Sequence, residues 1–361
     1  MHTRASAYLL VLLIPALMPA AALAGAQFGY ANGWAWLPII ALFIALPALD
    51  YLVGKTTDNP DVERSLALEN QVGFRILNLL CLPVYLGLLV YSGWIFAHAE
   101  LNWFGKLGWV ISQGVVGGVM AINAAHELIH KPSRLESTAG GILLSSVCYG
   151  GFKVEHVRGH HVHVSTPLDA SSARYGQNVY AFVLNSIPRN IRAAFALEAI
   201  RLTKLGLSPV HWRNEVIGWY GLSLLMLIGF GWWLGSLGVV FFIAQSVGAF
   251  VSLEIINYVE HYGLERALRA DGRYERTTHL HSWNSSYLLT NLMLFQLQRH
   301  SDHHENPRRR YQALRHYEAS PQLPGGYPAM FLLALIPPLW FRVINPIANR
   351  HRQRFAGERL T

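Results

Sequence analysis

The sequence predicts an all-α membrane protein with six transmembrane helices and a cytosolic, histidine-rich helical cap. The first observation is the composition: 52% of the 361 residues are hydrophobic and only 14% are charged, which is too apolar for an ordinary soluble enzyme. The second is a series of long apolar runs. The third is that several of the 17 histidines stand in tight groups beside those runs. Together these features predict one integral-membrane domain over residues 1–361.

The apolar runs have about the length that a helix needs to cross a bilayer, which is about 17 to 25 residues. The uncharged run 216–253 would make one helix of about 57 Å, nearly twice the hydrocarbon thickness. We therefore predict two passes there, with a turn at residues 235–238. The predicted spans lie near residues 8–24, 34–53, 76–97, 107–125, 216–234 and 239–253. Residues 126–215 and 254–361 then form the cap.

Basic residues indicate the orientation. With a cytoplasmic N-terminus, the outer loops are residues 25–33, 98–106 and 235–238, and they contain only Lys106 of the 29 lysines and arginines. Because cytoplasmic loops are enriched in these residues, the cap is predicted to be cytoplasmic. The same asymmetry explains the net charge of +8, so we expect no binding to nucleic acid.

The N-terminus allows two interpretations. Met1 to Arg4, followed by an apolar run and Ala-Leu-Ala-Gly-Ala, resembles a secretory signal with a cleavage site. We expect the segment to be retained as the first transmembrane helix. Cleavage would leave the orientation of the other helices unchanged.

Nine histidines form four groups, which read HELIH, EHVRGHH, NYVEHYGL and QRHSDHH. Spacings of three and four place imidazoles on one helix face. In EHVRGHH, His156 and His160 share a face while His161 lies about 100° further round, so the adjacent imidazoles could serve different ions. Nine imidazoles suit two metal ions, and imidazole binds iron, copper or zinc. The candidate ligands are His126, His130, His156, His160, His161, His261, His300, His303 and His304.

Two other functional classes fit the histidines less well. HELIH also matches the H-E-x-x-H pattern of zinc proteases, but one catalytic zinc takes three protein ligands and the other grouped histidines would have no role. A metal transporter would place its ligands near the middle of the bilayer, whereas these groups lie at the cytoplasmic ends of helices. With only Cys81 and Cys148, no iron–sulfur site is encoded, so such a centre must come from another polypeptide.

The four motifs in this order resemble those of the integral-membrane non-haem diiron alkane 1-monooxygenases. The pattern HELxHK, EHxxGHH, NYxEHYG and LQRHxDHH is matched at residues 126–131, 155–161, 257–263 and 297–304, and the similarity extends over most of residues 40–346. Membrane fatty-acyl desaturases and hydroxylases share the histidine boxes, but the second box usually reads HxxHH there and HxxxHH here. Xylene-type methyl-group monooxygenases are the nearer alternative.

The resemblance implies an enzyme of the bacterial inner membrane that hydroxylates the terminal methyl group of n-alkanes from the cytoplasmic side. It implies two iron ions held by the nine histidines, dioxygen as co-substrate, and electrons from rubredoxin and its NAD(P)H-dependent reductase. Carboxylates near the motifs are then candidates for orienting the imidazoles. These are Glu127, Glu155, Asp169, Glu260 and Asp302. We expect five further histidines to be structural or to support the ligands: His163, His211, His279, His281 and His316.

Two further predictions concern the substrate and the electron donor. Asp50 should face protein because a charge exposed to hydrocarbon is costly, which turns Leu42, Phe43 and Leu46 inward on the same helix face. These three residues are candidates for the far end of a substrate channel. The run Arg308-Arg309-Arg310 is a candidate docking surface for an acidic rubredoxin, with a positive-inside anchor as the alternative.

Overall fold

The computed structural model describes residues 5–358 and is helical, with isolated β-bridges but no strand in that range. We number the helices in chain order. They are α1 Ala5–Phe28, α2 Ala31–Trp34, α3 Leu37–Val53, α4 Val62–Glu69, α5 Val72–His98, α6 Trp103–Ile129, α7 Arg134–Ser145, α8 at residues 152–163, α9 Val179–Lys204, α10 Glu215–His261, α11 Leu288–Met293, α12 His300–Glu305, α13 Tyr327–Ala334 and α14 Pro337–Glu358.

Four helices in the described range are long and apolar enough to cross a membrane, namely α1, α5, α6 and α10. Helix α3 is apolar but shorter. These five segments cover the runs that the sequence singled out. The count of six spans and the cytosolic position of the cap stay predictions.

Helix α10 reverses direction at Gly235. That residue has φ 63° and ψ −149°, a conformation open to glycine because it has no Cβ. The rings of Phe230 and Phe242 lie 5.3 Å apart, although twelve residues of straight helix would separate them by about 18 Å. The predicted turn at residues 235–238 is therefore confirmed.

Helices α6 and α10 approach each other closely. A Cβ added at Gly114 would lie 2.8 Å from the Cα of Gly248, so two glycines let the backbones approach. Polar side chains link neighbouring helices by hydrogen bonds. This is expected in a membrane, where lipid is as apolar as the helix surfaces and the hydrophobic effect does not drive helices together. Tyr85 donates to Oε1 of Gln245 at 3.0 Å, and Trp109 Nε1 donates to the Ser92 carbonyl at 2.9 Å.

The N-terminal helix is packed into the body of the protein. Tyr8, Val11 and Met18 are fully buried, and Gln296 Nε2 donates to the Tyr8 hydroxyl at 2.8 Å. Retention of α1 as a transmembrane helix stays a prediction. The charged start of the alternative secretory signal, residues 1–4, lies outside the described residues.

Asp50 faces protein, as predicted. Its side chain is buried and accepts a hydrogen bond from the backbone N–H of Thr290 at 2.9 Å and another from the Thr290 hydroxyl. Leu42 and Leu46 on the same helix are each 5% exposed, whereas Ile44 is 64% exposed. Helix α3 therefore turns one face toward α11 and the interior and the other outward.

Candidate metal centre

The structure brings all nine candidate histidines together in two adjacent groups. Within each group, the nitrogens available as ligands lie within 4.8 Å of one another. The groups touch, since the rings of His161 and His304 are stacked 4.3 Å apart. The five-histidine group contains His126, His130, His156, His161 and His303, and the four-histidine group contains His160, His261, His300 and His304.

The five-histidine group is assembled by three segments. His126 stands in the last turn of α6 and His130 caps its end. The others come from α8 and α12, and the Nε2 atom of His161 lies 3.1 Å from the Nε2 atoms of both His156 and His303. Side chains far apart in sequence thus converge on one point.

A π-helical turn explains how α8 distributes its three histidines. Residues His156–His160 form this turn, in which hydrogen bonds join residue i to i+5, so it contains about one residue more than an α-helical turn. His156 and His161, five apart, therefore point to one group, while His160 points to the other. The expectation that His160 and His161 serve different ions agrees with this geometry. The expectation that His156 and His160 share a face does not, because it assumed α-helical spacing.

The four-histidine group is fully enclosed. His261 at the end of α10 is 0% exposed, and its Nε2 atom lies 3.1 Å from that of His300. His304 Nε2 lies 3.0 Å from His300 Nε2 and 3.2 Å from His160 Nε2. Helix α12 therefore gives two imidazoles to this group, and a third, His303, to the other.

These nitrogen separations fit shared metal ions. Two nitrogens each bound at about 2.1 Å to one ion lie about 3.0 to 3.4 Å apart in octahedral or tetrahedral geometry. The buried Nε2 atoms of His126 and His130 have no hydrogen-bond partner, although buried polar atoms are normally paired. Converging imidazole nitrogens suit a cation between them, so each group could hold a metal ion.

Burial also keeps the imidazoles in the form that binds metal. It lowers the pKa of His156 and His161 well below the usual histidine value, and neighbouring imidazoles lower it further. The same causes lower the pKa of His300, His303 and His304. Neutral imidazole is the ligand form, so these side chains are ready to bind a cation at neutral pH.

Two of the five candidate carboxylates contact an imidazole. Asp169 Oδ2 lies 2.9 Å from His160 Nδ1, and Glu260 Oε2 lies 3.2 Å from His300 Nε2. Burial raises the pKa of Asp169, but electrostatic attraction and a hydrogen bond from the His160 ring, with a further hydrogen bond from Ser172, lower it to about 2. Asp169 is therefore ionised and can fix the orientation and tautomer of the His160 ring.

The other three carboxylates have different partners. Glu127 pairs with Lys131 at 2.9 Å and accepts from the Tyr311 N–H at 3.3 Å, so it is not placed as the general base of a zinc protease. Asp302 binds Arg309. Glu155 has a buried Oε2 atom without a hydrogen bond. None of the three makes a hydrogen bond to an imidazole among the described residues.

The five remaining histidines flagged in the sequence lie outside both groups. His279 binds Glu305 at 3.1 Å and His281 lies 3.2 Å from Glu275. His316 Nδ1 lies 2.8 Å from the Ser286 hydroxyl oxygen, within hydrogen-bond distance. These contacts fit the structural or supporting role that was expected.

An apolar cavity leads from the histidines into the membrane part. The side chains that line it are mostly apolar, as is usual for small-molecule sites. On α6 it extends from His126 to Val115, about 16 Å along the axis. The side chains lining it include three histidines from both groups and the three candidate channel residues, namely His126, His156, His300, Leu42, Phe43 and Leu46.

Two of the three arginines in the run 308–310 are paired with carboxylates of the chain, so the run is not a fully free basic surface. Arg309 pairs with Asp302 at 2.5 Å and Arg310 pairs with Glu136 at 2.9 Å, so both charges are largely neutralised within the chain. Only Arg308 is exposed and has no acidic partner among the described residues. Docking of rubredoxin at this run stays a prediction, with Arg308 as its free charge.

Sequence reasoning missed several side chains near the site. Ser172 donates to Asp169 Oδ2 at 2.6 Å, and Ser282 lies 3.5 Å from His261 Nδ1. Tyr327 is buried and lines the cavity together with Glu260. Ser172 could have been found from the sequence, since a hydroxyl three residues after Asp169 can reach its carboxylate. Tyr327 had none, because α13 is distant from every histidine motif in sequence.

Asp169 offers a specific test of the four-histidine group. Asp169→Ala should lower metal affinity at that group by about 10- to 100-fold, the usual effect of removing a carboxylate that orients a ligand. Asp169→Asn should recover part of the loss, since its amide oxygen still accepts from His160. Metal titration of the purified protein measures both. Equal affinity in the alanine variant and the unmodified protein would show that Asp169 does not orient His160.

A family model described as fatty acid desaturase matches residues 101–334, which contain all four histidine motifs. Together with the apolar helices and the two histidine groups, this match defines a membrane-bound oxidoreductase of the histidine-box class.

The comparison with individual proteins is more specific. Alkane 1-monooxygenase 2 of Pseudomonas aeruginosa is 55% identical over 331 residues, covering 91% of this chain and 87% of the relative. Alkane 1-monooxygenase 2 of Alcanivorax borkumensis is 51% identical, covering 93% and 88%. The chain belongs to the alkane 1-monooxygenase family, as the motifs indicated. The xylene/toluene monooxygenase hydroxylase component of Pseudomonas putida is 32% identical over 92% of the chain and 88% of the relative.

Proposed function

We propose that this protein inserts one oxygen atom of dioxygen into the terminal methyl group of an n-alkane, forming a primary alcohol. The observation that carries the proposal is the apolar cavity, which ends at imidazoles from both histidine groups. A substrate without polar groups needs a wall of aliphatic and aromatic side chains and no hydrogen-bonding partner. The relatives named alkane 1-monooxygenase support the same substrate class.

The nine histidines would hold two iron ions, one in each group. Imidazole suits iron as well as other transition metals, and the family supports iron as the ion. When bound, the irons supply the activation of dioxygen, while the protein positions the substrate and tunes the metal. Asp169 holds the His160 ring, and the buried setting of His261 and His300 keeps bulk water from the reacting methyl group.

The shape of the cavity supports attack at the chain end. Its lining includes α6 residues from Val115 to His126, so an extended alkane lying along that helix would present one terminal methyl to the imidazoles. Asn123, which also lines the cavity, donates its side-chain amide to the Leu294 carbonyl at 3.0 Å, so this amide N–H group is satisfied within the protein. We infer that internal methylene groups are held away from the metal site.

The proposed topology is the six-span arrangement in the bacterial inner membrane, with the histidine groups on the cytoplasmic side. The scarcity of Lys and Arg in the predicted outer loops supports it. Alkane would then enter from the bilayer. Rubredoxin and its reductase would deliver electrons from the cytoplasm, since the chain contains only Cys81 and Cys148.

The function is tested with purified protein, octane, ¹⁸O₂ and a chemical reductant. We expect 1-octanol carrying one ¹⁸O atom, in proportion to electrons consumed. Formation of 2-octanol as the main product would contradict terminal attack, and unlabelled alcohol would contradict oxygenation. A parallel reaction with p-xylene tests the second candidate, oxidation of a methyl group on an aromatic ring. The xylene/toluene enzyme is only 32% identical to this chain, so we expect octane to be the better substrate. Faster turnover of p-xylene than of octane would reverse this order.

A further inference from the structure

We propose that a small acidic one-electron carrier protein docks over a groove whose wall includes Asp169. The proposal rests on the external electron supply in the proposed function and names the surface that receives it. We call this surface the Asp169 groove. It is lined by residues from the segment after α8, from α9 and from the loop after α10.

The Asp169 groove comes within one side chain of the four-histidine group. Asp169 lines the groove and its Oδ2 atom contacts His160 Nδ1 at 2.9 Å. Ser172, which also lines the groove, donates to the same oxygen at 2.6 Å. A carrier seated there would be separated from the proposed metal ligand by a single hydrogen-bonded carboxylate.

The charge of the groove fits an acidic partner. Arg174, Arg189 and Arg266 line it, and none of them has a carboxylate within ion-pair distance among the described residues. Arg266 donates to the carbonyls of Glu275 and Val162 at 3.0 and 2.8 Å, and the carboxylates of Asp169 and Glu275 offset part of its charge. Arg174 and Arg189 are therefore the free charges of the groove.

The acidic residues of the groove do not cancel this charge. Apart from the buried Asp169, Glu265 is the acid in the lining, and it lies 3.4 Å from Arg352. Arg309 and Arg310, by contrast, each form an ion pair with a carboxylate of the same chain. Tyr175 and Tyr274 also line the groove, and aromatic side chains are enriched at protein interfaces.

The reaction requires such a contact twice in each turnover. Hydroxylation consumes alkane, dioxygen, two electrons and two protons and yields alcohol and water. Because the carrier donates one electron at a time, two reduced carriers must bind and leave for each alkane. A surface that speeds encounter through charge, without strong affinity, suits this repeated exchange.

The test compares charge reversals in the full-length protein. We expect Arg174→Glu combined with Arg189→Glu to slow reduction by purified rubredoxin about tenfold at low ionic strength, with the difference lost at about 1 M salt. Arg213→Glu reverses one charge at an exposed position that lines neither the groove nor the apolar cavity. It is compared with Arg174→Glu alone, which changes the net charge equally, and only Arg174→Glu should slow reduction. Arg308→Glu tests the surface expected from the sequence.

Dithionite-driven hydroxylation separates docking from folding and from the function itself. The double variant should match the unmodified protein in this assay, since dithionite needs no docking surface. An unchanged rubredoxin rate in the double variant, or an equal loss in Arg308→Glu, would overturn the assignment to the Asp169 groove. Absence of octane hydroxylation by the unmodified protein with dithionite would instead overturn the proposed function, while the reduction rates would still report on docking.

Discussion

Replacing His261 with alanine should lower alkane hydroxylation by more than about a hundredfold and remove one of the two proposed irons. His261 is fully buried, and its Nε2 atom lies 3.1 Å from His300 Nε2. The variant leaves three imidazoles in the four-histidine group, and losing a ligand affects affinity more than the 10- to 100-fold typical of a supporting carboxylate. Iron analysis of the purified protein, with octane turnover, measures both effects.

The same outcome is expected for His126, His160 and His303 changed singly to alanine. His279→Ala is the matched control, because His279 lies outside both groups and contacts Glu305, and it should keep iron and activity. If any two of the four ligand variants retained full iron content and activity, the assignment of nine ligands would be wrong.

Leu42→Trp should shift the enzyme toward shorter alkanes. Leu42 is 5% exposed and lines the apolar cavity together with Phe43 and Leu46. An indole in place of an isobutyl group would fill part of the cavity, and only substrates long enough to reach it would be affected. We expect turnover of dodecane and longer chains to fall about tenfold or more, equivalent to about 1.4 kcal/mol, while octane turnover is spared.

Ile44→Trp controls for the added bulk on the same helix. Ile44 is 64% exposed and does not line the cavity, so this change should leave chain-length preference unaltered. Equal loss on octane and dodecane in Leu42→Trp would mean that the substitution disturbs packing, and the far end of the channel would have to lie elsewhere.

Features that depend on local chemistry could be predicted from the sequence. The cost of a charge in hydrocarbon predicted that Asp50 faces protein, and length alone required the reversal at residues 235–238. The histidine motifs predicted which side chains the structure would gather, because nine grouped imidazoles have few other uses. The inward turn of Leu42 followed from the position of Asp50 on the same helix.

Features that depend on pairing between distant segments could not be predicted. Arg310 is neutralised by Glu136, which precedes it by 174 residues, and no local pattern indicates that contact. Glu127 stands between two ligand histidines in sequence, yet it accepts a hydrogen bond from the N–H of Tyr311, 184 residues later. The division of the histidines into five and four also depends on a departure from α-helical spacing that propensity does not reveal.

The π-helical turn at His156–His160 has a consequence for how such motifs are compared between proteins. An extra residue in a helix would normally rotate everything after it by about 100°. Here the wider turn absorbs that residue, so His161 reaches the position that a histidine four residues after His156 would take in a regular helix. Boxes that read HxxHH and HxxxHH can thus present equivalent ligands, and alignments that match them by residue count would pair the wrong histidines.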